Sequence, residues 1–377
     1  MDIQFSDEHE ELRRTIRQFL AAESDEQAVR AAMASERGHD PKLWQRMAQD
    51  LGLAGLVIPE QYGGAGMGPV EMLVAFEEMG RALVCAPALS NLFAAQAILA
   101  VGSAADREAL LPGIAAGSVL VTVGQVDAGG HFDLSVVANE ARRAGERWIL
   151  DGTWRYVLDG HVAERILLVA RVGSELALFC VEGDATGLSR KALPGLDLTR
   201  RLADVRCAAV EARRLGEGDA RPGLERALLL TIAALAAEQT GGAARCLELA
   251  TEHARTRYQF GRPIGSFQAI KHHCADLLVE VELMKSAAYH ACFVAADPAP
   301  DRGSNPGSDL ESAVRMAKAW CSEAYFRVAA ETIQIHGGMG FTWEHPIHLY
   351  FKRAKASELL FGNPHLHRER LADRLAL

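Results

Sequence analysis

Aromatic residues are scarce. They make up 6% of the 377 residues, and Ala and Leu dominate in their place, a composition that leans towards helix. Paired cysteines are lacking as well. Cys85, Cys180, Cys207, Cys246, Cys274, Cys292 and Cys321 are scattered, odd in number and never spaced C-x-x-C. That argues against a disulfide frame and a zinc site, and it suits a reducing cytoplasm. No run of Lys or Arg is long enough to track a phosphate backbone, and the formal charge is -9, so no nucleic-acid partner is expected. Met1 to Leu20 is charged and amphipathic without an apolar signal core; neither export, nor a spanning helix, nor a membrane partner is expected. The strand-then-Gly-x-Gly-x-x-Gly nicotinamide fingerprint and the Gly-x-Ser-x-Gly nucleophile elbow are both missing. So are fixed-period repeats and low-complexity tracts.

What is present is ordinary globular material, 49% hydrophobic and 24% charged, long enough for two or three packed domains. Helical patterns fill the first third. Ser6 can cap a helix carrying Ile16, Phe19 and Leu20 on one face. Asp40-Pro41 starts another, with Leu43, Trp44 and Met47 on one side. Gln61 to Gly66 reads as a loop, and helical pattern resumes from Val70 to Gly80 and around Asn91 to Ala100. From Val119 the texture turns β-rich. Trp148-Ile149-Leu150 leads to an expected turn at Asp151-Gly152, and Ile166–Ala170 and Leu176–Val181 read as short strands. After Pro222 long helices return, with Leu224, Leu228, Thr231 and Leu235 at helical spacing. Asp297 to Ser308 reads as an exposed loop. Ser308-Asp309-Leu310-Glu311 reads as a capping box opening a helix with Leu310, Val314, Ala317, Cys321, Ala324 and Val328 in one stripe. The expectation is an α+β, mainly α, chain: a helical domain over 1–118, a small β barrel or sheet over 119–216, and a helical bundle over 217–377.

Two segments carry chemistry. Arg257-Tyr258-Gln259-Phe260-Gly261-Arg262-Pro263-Ile264-Gly265-Ser266-Phe267-Gln268 joins two helices. A guanidinium there can grip a pyrophosphate through two parallel bonds, Phe260 can pack on a flat ring, and Gly261 permits close backbone approach. Gln334-Ile335-His336-Gly337-Gly338-Met339-Gly340-Phe341 ends a helix in three glycines, which expose backbone N–H groups to a polar ligand. Alone, the first is equally an interhelical turn with a surface Arg, and the second a helix C-cap.

In this order the two motifs resemble the acyl-CoA dehydrogenase family, and the resemblance covers nearly the whole chain. Asp40-Pro41-Lys42-Leu43-Trp44, Leu51-Gly52-Leu53 and Pro59 to Gly64 are similar to its N-terminal signature. Trp343-Glu344-His345-Pro346 follows the second motif as in the family, and Asp151-Gly152 sits where the family's β domain turns. The resemblance implies a flavoprotein oxidoreductase: N-terminal helical domain, middle β domain, C-terminal four-helix bundle. It also implies FAD between the β domain of one subunit and the bundle of its neighbour. Arg257, Phe260, Gly261, Gln268, Gln334, Gly337 and Gly338 fall on positions that hold the ADP half of that FAD across the interface. The implied reaction is α,β-desaturation of an acyl-CoA, with a carboxylate as base, FAD as hydride acceptor and an electron-transfer flavoprotein as onward acceptor.

The chain departs from that pattern at the chemistry. The usual base position, before a Gly in Leu360-Phe361-Gly362-Asn363, holds Phe361; the alternative position, about 26 residues before Arg257, holds Thr231. The flavin-side stretch reads Gly124-Gln125-Val126-Asp127-Ala128-Gly129-Gly130-His131, and the family's Trp-Ile-Thr strand reads Tyr156-Val157-Leu158. The catalytic residue is therefore unknown from sequence. Glu238 and Glu358 are read as solvated or salt-bridged helix residues. His336, His345 and His348 lack partners at metal-ligand spacing, so no metal is expected, and His272-His273 and His365-x-His367 are read as surface or interface residues. An intact ADP side beside a missing base resembles the bacterial α2β2 members, often tied to steroid or branched side-chain degradation, in which one chain type supplies the base and the other completes the FAD site. The alternatives are a self-sufficient homo-oligomer with a non-standard base, a scaffold subunit without flavin, and a non-redox thioester enzyme.

Overall fold

The computed structural model describes residues 5–145, 147–297 and 309–377. Among the described residues, six α-helices come first: α1 (Asp7–Glu23), α2 (Glu26–Ala34), α3 (Pro41–Gln49), α4 (Pro69–Arg81), α5 (Ala88–Val101) and α6 (Ala104–Ala115). Seven strands follow: β1 (Val121–Gly124), β2 (Glu140–Ala144), β3 (Arg147–Leu158), β4 (Arg165–Val172), β5 (Glu175–Glu182), β6 (Leu188–Ala192) and β7 (Leu202–Leu215). Then come α7 (Arg221–Thr256), the hairpin β8 (Tyr258–Gln259) and β9 (Arg262–Pro263), α8 (Gln268–Ala296), α9 (Leu310–His336), α10 (Ile347–Leu359) and α11 (Pro364–Leu375). The order of helices, strands and helices is the one the sequence predicts.

The chain forms two compact units, each discontinuous in sequence. One is Ala31–Gly68 with Cys85–Thr231, and it contains the sheet. Its strands run in the order β1-β4-β2-β3-β7-β5, with β6 on β7; a further pairing of β4 with β5 closes the ring into a small barrel. Alternation puts Leu150, Trp154, Ile166, Leu168, Phe179 and Val205 inside. Trp154 is fully buried, and its indole N–H is satisfied by the Val169 carbonyl at 2.8 Å, as burial of so large an amphipathic ring requires.

The expected turn at Asp151-Gly152 is corrected here. β3 runs through both residues, and the register against β7 slips between Leu150 and Gly152. Gly152 has φ +152, the Asp151 carboxylate accepts the Ala209 N–H at 2.7 Å, and the pair forms a bulge inside a long strand rather than a reversal.

The other unit is Met1–Arg30, Pro69–Val84 and Ile232–Leu377. The stripe Leu310, Val314, Ala317, Cys321, Ala324 and Val328 is buried on α9. The cap of α9 is Asp309, whose carboxylate accepts the Ser312 N–H at 2.8 Å and pairs with Arg374. The capping box expected to start at Ser308 is thus corrected by one residue; Ser308, with residues 298–307 of the loop expected over Asp297 to Ser308, lies outside the described residues.

Helices α4 and α7 cross at two reciprocal glycines. A Cβ on Gly80 would stand 1.9 Å from the Glu238 carbonyl oxygen, and one on Gly241 would stand 1.8 Å from that of Glu77. So close a crossing draws carboxylates inward, and each finds a cation. Arg353 donates to Glu238 at 2.6 Å, with side chains 4% and 7% exposed. Arg13 donates to Glu77 at 2.5 Å and Arg17 grips Glu78 at 2.7 and 2.8 Å. Glu238 is therefore salt-bridged, as the sequence predicts. Removing one partner of a dry pair strands the other charge, which costs about 3–5 kcal/mol. Glu238→Ala is expected to lower the unfolding free energy by that amount in urea titration, and Glu238→Leu with Arg353→Met to recover most of it.

Candidate functional site

The two chemistry-bearing segments lie where α7 and α9 end. α7 stops at Thr256, and the backbone N–H of Arg257 donates to the His253 carbonyl at 2.9 Å. The chain then turns back on itself, pairing Tyr258 with Pro263 and Gln259 with Arg262. The apex residues Phe260 and Gly261 have φ +54 and +78, the double left-handed geometry of the tightest hairpins. Gly261 suits that geometry. Phe260 does not, yet its ring is 90% exposed. An aromatic held in strained backbone and left almost wholly to solvent is the kind of outlier that points to a ligand or partner. Its ring meets Phe267 edge-on at 6.1 Å, and the Arg262 guanidinium lies 4.0 Å above Phe267.

Arg257 is exposed and pairs with no carboxylate among the described residues. Gln268 opens α8, also exposed, and no side chain caps that helix at Phe267. Its first N–H groups are therefore left to another acceptor, and a helix N-terminus favours an anionic one.

Helix α9 ends at His336, and Gly337 takes φ +61. A tight turn spans Gly337–Phe341. Gln334 on the last turn of α9 is exposed, with Gly337 and Gly338 beside it. A Cβ on Gly261, Gly337 or Gly338 would meet nothing within 4 Å. Gly338 has neither a left-handed backbone nor a crowded neighbourhood to require it. Its bare backbone gives room for something outside the chain. The two segments are brought together directly: the rings of His253 and His336 stack with centroids 4.3 Å apart. Phe341 and Trp343, 79% and 62% exposed, extend the apolar surface around them. These features fit the ADP half of FAD: an unpaired guanidinium, open helix N–H groups, accessible glycine backbone and an exposed flat ring.

The base positions are equally clear. Thr231 is fully buried, and its hydroxyl donates to the Ala227 carbonyl at 2.8 Å within its own helix. Phe361 is 5% exposed with φ +59. Its turn is held from several sides. Lys318 Nζ donates to the Ser357 and Glu358 carbonyls at 3.0 and 2.9 Å and to Ser322 Oγ at 2.8 Å. Burial pushes this amine down to about 7, but three acceptors match the three N–H bonds of its charged form. His367 Nε2–H donates to the Phe361 carbonyl at 3.0 Å. Burial, with Lys318 and Arg315 nearby, pushes the imidazole down to about 3 and keeps it neutral. A Cβ on Gly362 would stand 2.7 Å from Leu366.

His367 was expected at the surface or an interface; it is 1% exposed, because it serves this turn. Lys318 escaped the sequence reading, although its place four residues after Val314 in the apolar stripe was the available signal. Glu358 pairs with Lys355 at 2.8 Å, and Glu238 is committed to Arg353. Among the described residues, no group of three or more His, Cys, Asp or Glu is arranged to hold a metal ion.

In the sheet unit, Asp127 accepts the N–H groups of Gly129 and Ala138 at 2.8 and 2.7 Å, so its carboxylate orders its own loop. Tyr156, at φ +55, already stacks on Phe132 at 6.0 Å and lies 5.2 Å from the Arg155 guanidinium. Leu158 is buried, and its carbonyl accepts the Thr122 hydroxyl at 2.6 Å.

Comparison with known proteins agrees with this geometry. Residues 6–118 match the acyl-CoA dehydrogenase N-terminal domain and residues 225–376 the acyl-CoA dehydrogenase C-terminal domain. The acyl-CoA dehydrogenase IpdE2 of Mycolicibacterium smegmatis is 36% identical over 97% of this chain and 98% of its own length. Among solved structures, a variant of the Tcur3481-Tcur3483 steroid ACAD is 34% identical, covers 98% of each chain and superposes with a TM-score of 0.87. The ChsE4-ChsE5 complex from Mycobacterium tuberculosis is 28% identical over 100% of this chain and 99% of its own, with a TM-score of 0.89. Matched in both helical regions and along almost its full length, this chain belongs to the acyl-CoA dehydrogenase family.

Proposed function

We propose that this chain works in the FAD-dependent α,β-desaturation of an acyl-CoA thioester, as the member of an α2β2 assembly that completes the FAD site of a partner chain. The observation that carries the reading is Phe361. A buried phenyl ring stands where the family's base is expected, while Arg257, Phe260, Gly261, Gln268, Gln334, Gly337 and Gly338 remain exposed. In this reading Arg257 binds the pyrophosphate through charge-assisted bonds. Gln268 and Gln334 offer amide groups to the ADP moiety, the glycines let its oxygens reach backbone N–H groups, and Phe260 covers a flat ring and excludes water from it. When bound, FAD supplies the hydride acceptor. The α proton goes to a carboxylate of the partner chain, because Thr231 and Phe361 cannot take it and Glu238 and Glu358 are paired. Reducing equivalents then leave to an electron-transfer flavoprotein. Two solved relatives described as two-component assemblies support the heteromer. One is described as a steroid ACAD, which makes a steroid-type acyl-CoA the first substrate to assay.

Two measurements test this. Purified alone, the chain is expected to show little flavin absorbance per mole and no dehydrogenase activity; co-expressed with a base-bearing homologue, it is expected to yield a yellow, active complex. A flavin-loaded, active homo-oligomer would overturn the reading, and a colourless, inactive complex would favour the scaffold alternative. In the active complex, Arg257→Ala removes hydrogen bonds to a charged group worth about 1.5–3 kcal/mol. FAD is expected to bind about 10- to 100-fold more weakly by equilibrium dialysis, and unchanged retention would remove Arg257 from the site.

A further inference from the structure

A column of imidazoles joins the two exposed segments. His253 lies on the last turn of α7 and hands its carbonyl to the Arg257 N–H. His336 ends α9, directly before Gly337. Their rings stack at 4.3 Å and 24°. His345, beyond the glycine turn, brings its ring within 4.4 Å of His336 at 56°. One ring contact therefore ties the Arg257 hairpin to the Gly337-Gly338 turn, and a second ties that turn's far end back. The middle ring is fixed as well: its Nδ1–H donates to the Thr332 carbonyl at 2.8 Å, which leaves Nε2 as the atom that would take a proton.

We infer that His253 and His336 are positioning residues whose stack sets the spacing of the hairpin and the glycine turn, and that acid opens this spacing by charging the rings. The inference rests on the reading of these loops as the ADP-holding site, but its physical content is the coupling between them. An aromatic pair contributes about 0.5–1.5 kcal/mol when its faces meet; two cations at the same separation repel.

The surroundings favour the neutral rings. Burial lowers His253, and His336, His345 and Arg257 lower it further. Burial lowers His336 against the pull of the Thr332 carbonyl. His345 is lowered by burial, His336 and His348, with Glu26 alone opposing. Next to it, His348 is lowered by burial, Lys352 and Arg30, against the Trp343 backbone and Glu26. The unfolded chain thus takes up these protons at a higher pH than the folded one. The stack's contribution is complete above the ordinary histidine value of about 6.5 and is lost as the pH falls through the lower folded values.

The test is amide hydrogen exchange on the purified chain, corrected for intrinsic rates and read at 257–262 and 337–341. At about pH 8, above the histidine range, His253→Ala is expected to speed exchange in both segments by up to about tenfold, the ratio one lost aromatic pair allows. His253→Phe keeps an aromatic face and cannot ionise. It is expected to match the parent at about pH 8 and to keep its protection as the pH is lowered stepwise through the depressed folded histidine values, where the parent loses it. A change confined to the segment around residue 253, or the same pH profile for parent and His253→Phe, overturns the inference. Should His253→Ala not fold, the pH profiles of the parent and His253→Phe decide alone. Flavin takes no part in the measurement, so a chain that proves not to bind FAD leaves the outcome readable.

Discussion

The bundle is organised by how closely α4 and α7 approach. Gly80 and Gly241 each face a carbonyl oxygen of the other helix, with no room for even a methyl group. A crossing this tight removes side-chain volume at its centre and brings two polar backbones together. The residues flanking the glycines, Glu77 and Glu238, are then carried inward whether or not a charge is welcome there. The rest of the unit answers that constraint. α1 supplies Arg13 and Arg17, α10 supplies Arg353, and α8 supplies Tyr289, whose hydroxyl donates to Glu77 at 3.0 Å. Buried pairs of this kind contribute little net stability compared with apolar packing. They tie α1, α8 and α10 to the α4–α7 crossing, each through a named charge or hydroxyl.

The two exposed loops lie where helices of this unit end. α7 and α9 finish side by side, so the hairpin after one and the glycine turn after the other share a surface. Each loop is locally costly. A non-glycine residue in left-handed backbone is unfavourable by about 1–2 kcal/mol, and Phe260 carries that cost while exposing its ring. Its edge contact with Phe267 covers little of the ring. The glycine turn shows the complementary economy, with bare backbone at Gly338 and no intramolecular reason for it.

The sequence was most legible where one physical rule acts alone. The caps at Ser6 and Asp40, the stripe on α9 and the strands β4 and β5 follow from local capping and periodicity, and they appear where expected. It was less legible where two rules compete. Asp151-Gly152 has the composition of a turn, but the pairing of β3 with β7 overrides it and turns the pair into a bulge. Ser308 and Asp309 are both good cap types; Asp309 caps α9 and also pairs with Arg374, a long-range contact the local pattern does not show. Lys318 is buried for hydrogen bonds to the Ser357 and Glu358 carbonyls, far away in sequence, and His367 for one to Phe361, just before its own helix; helical periodicity alone specifies neither partner. The histidine column has the same origin. His253, His336 and His345 are far apart or separated by a loop in sequence, and only the joint ending of α7 and α9 makes them neighbours.

The turn at Phe361 stands where the sequence leads one to expect a base. Its supports are those of a turn built to present one residue: Lys318 holds the carbonyls before it, His367 holds its own carbonyl, and Asn363 caps the next helix by accepting the Leu366 N–H at 2.9 Å. A glutamate presented there would have to be desolvated while keeping a proton affinity useful for catalysis, a combination that proteins maintain at a cost in stability. A phenyl ring has no charge to desolvate, and burying it stabilises the fold by about 1.5–3 kcal/mol. That gain offsets the left-handed backbone at φ +59. Phe361 therefore keeps this turn well packed and brings no proton acceptor to it.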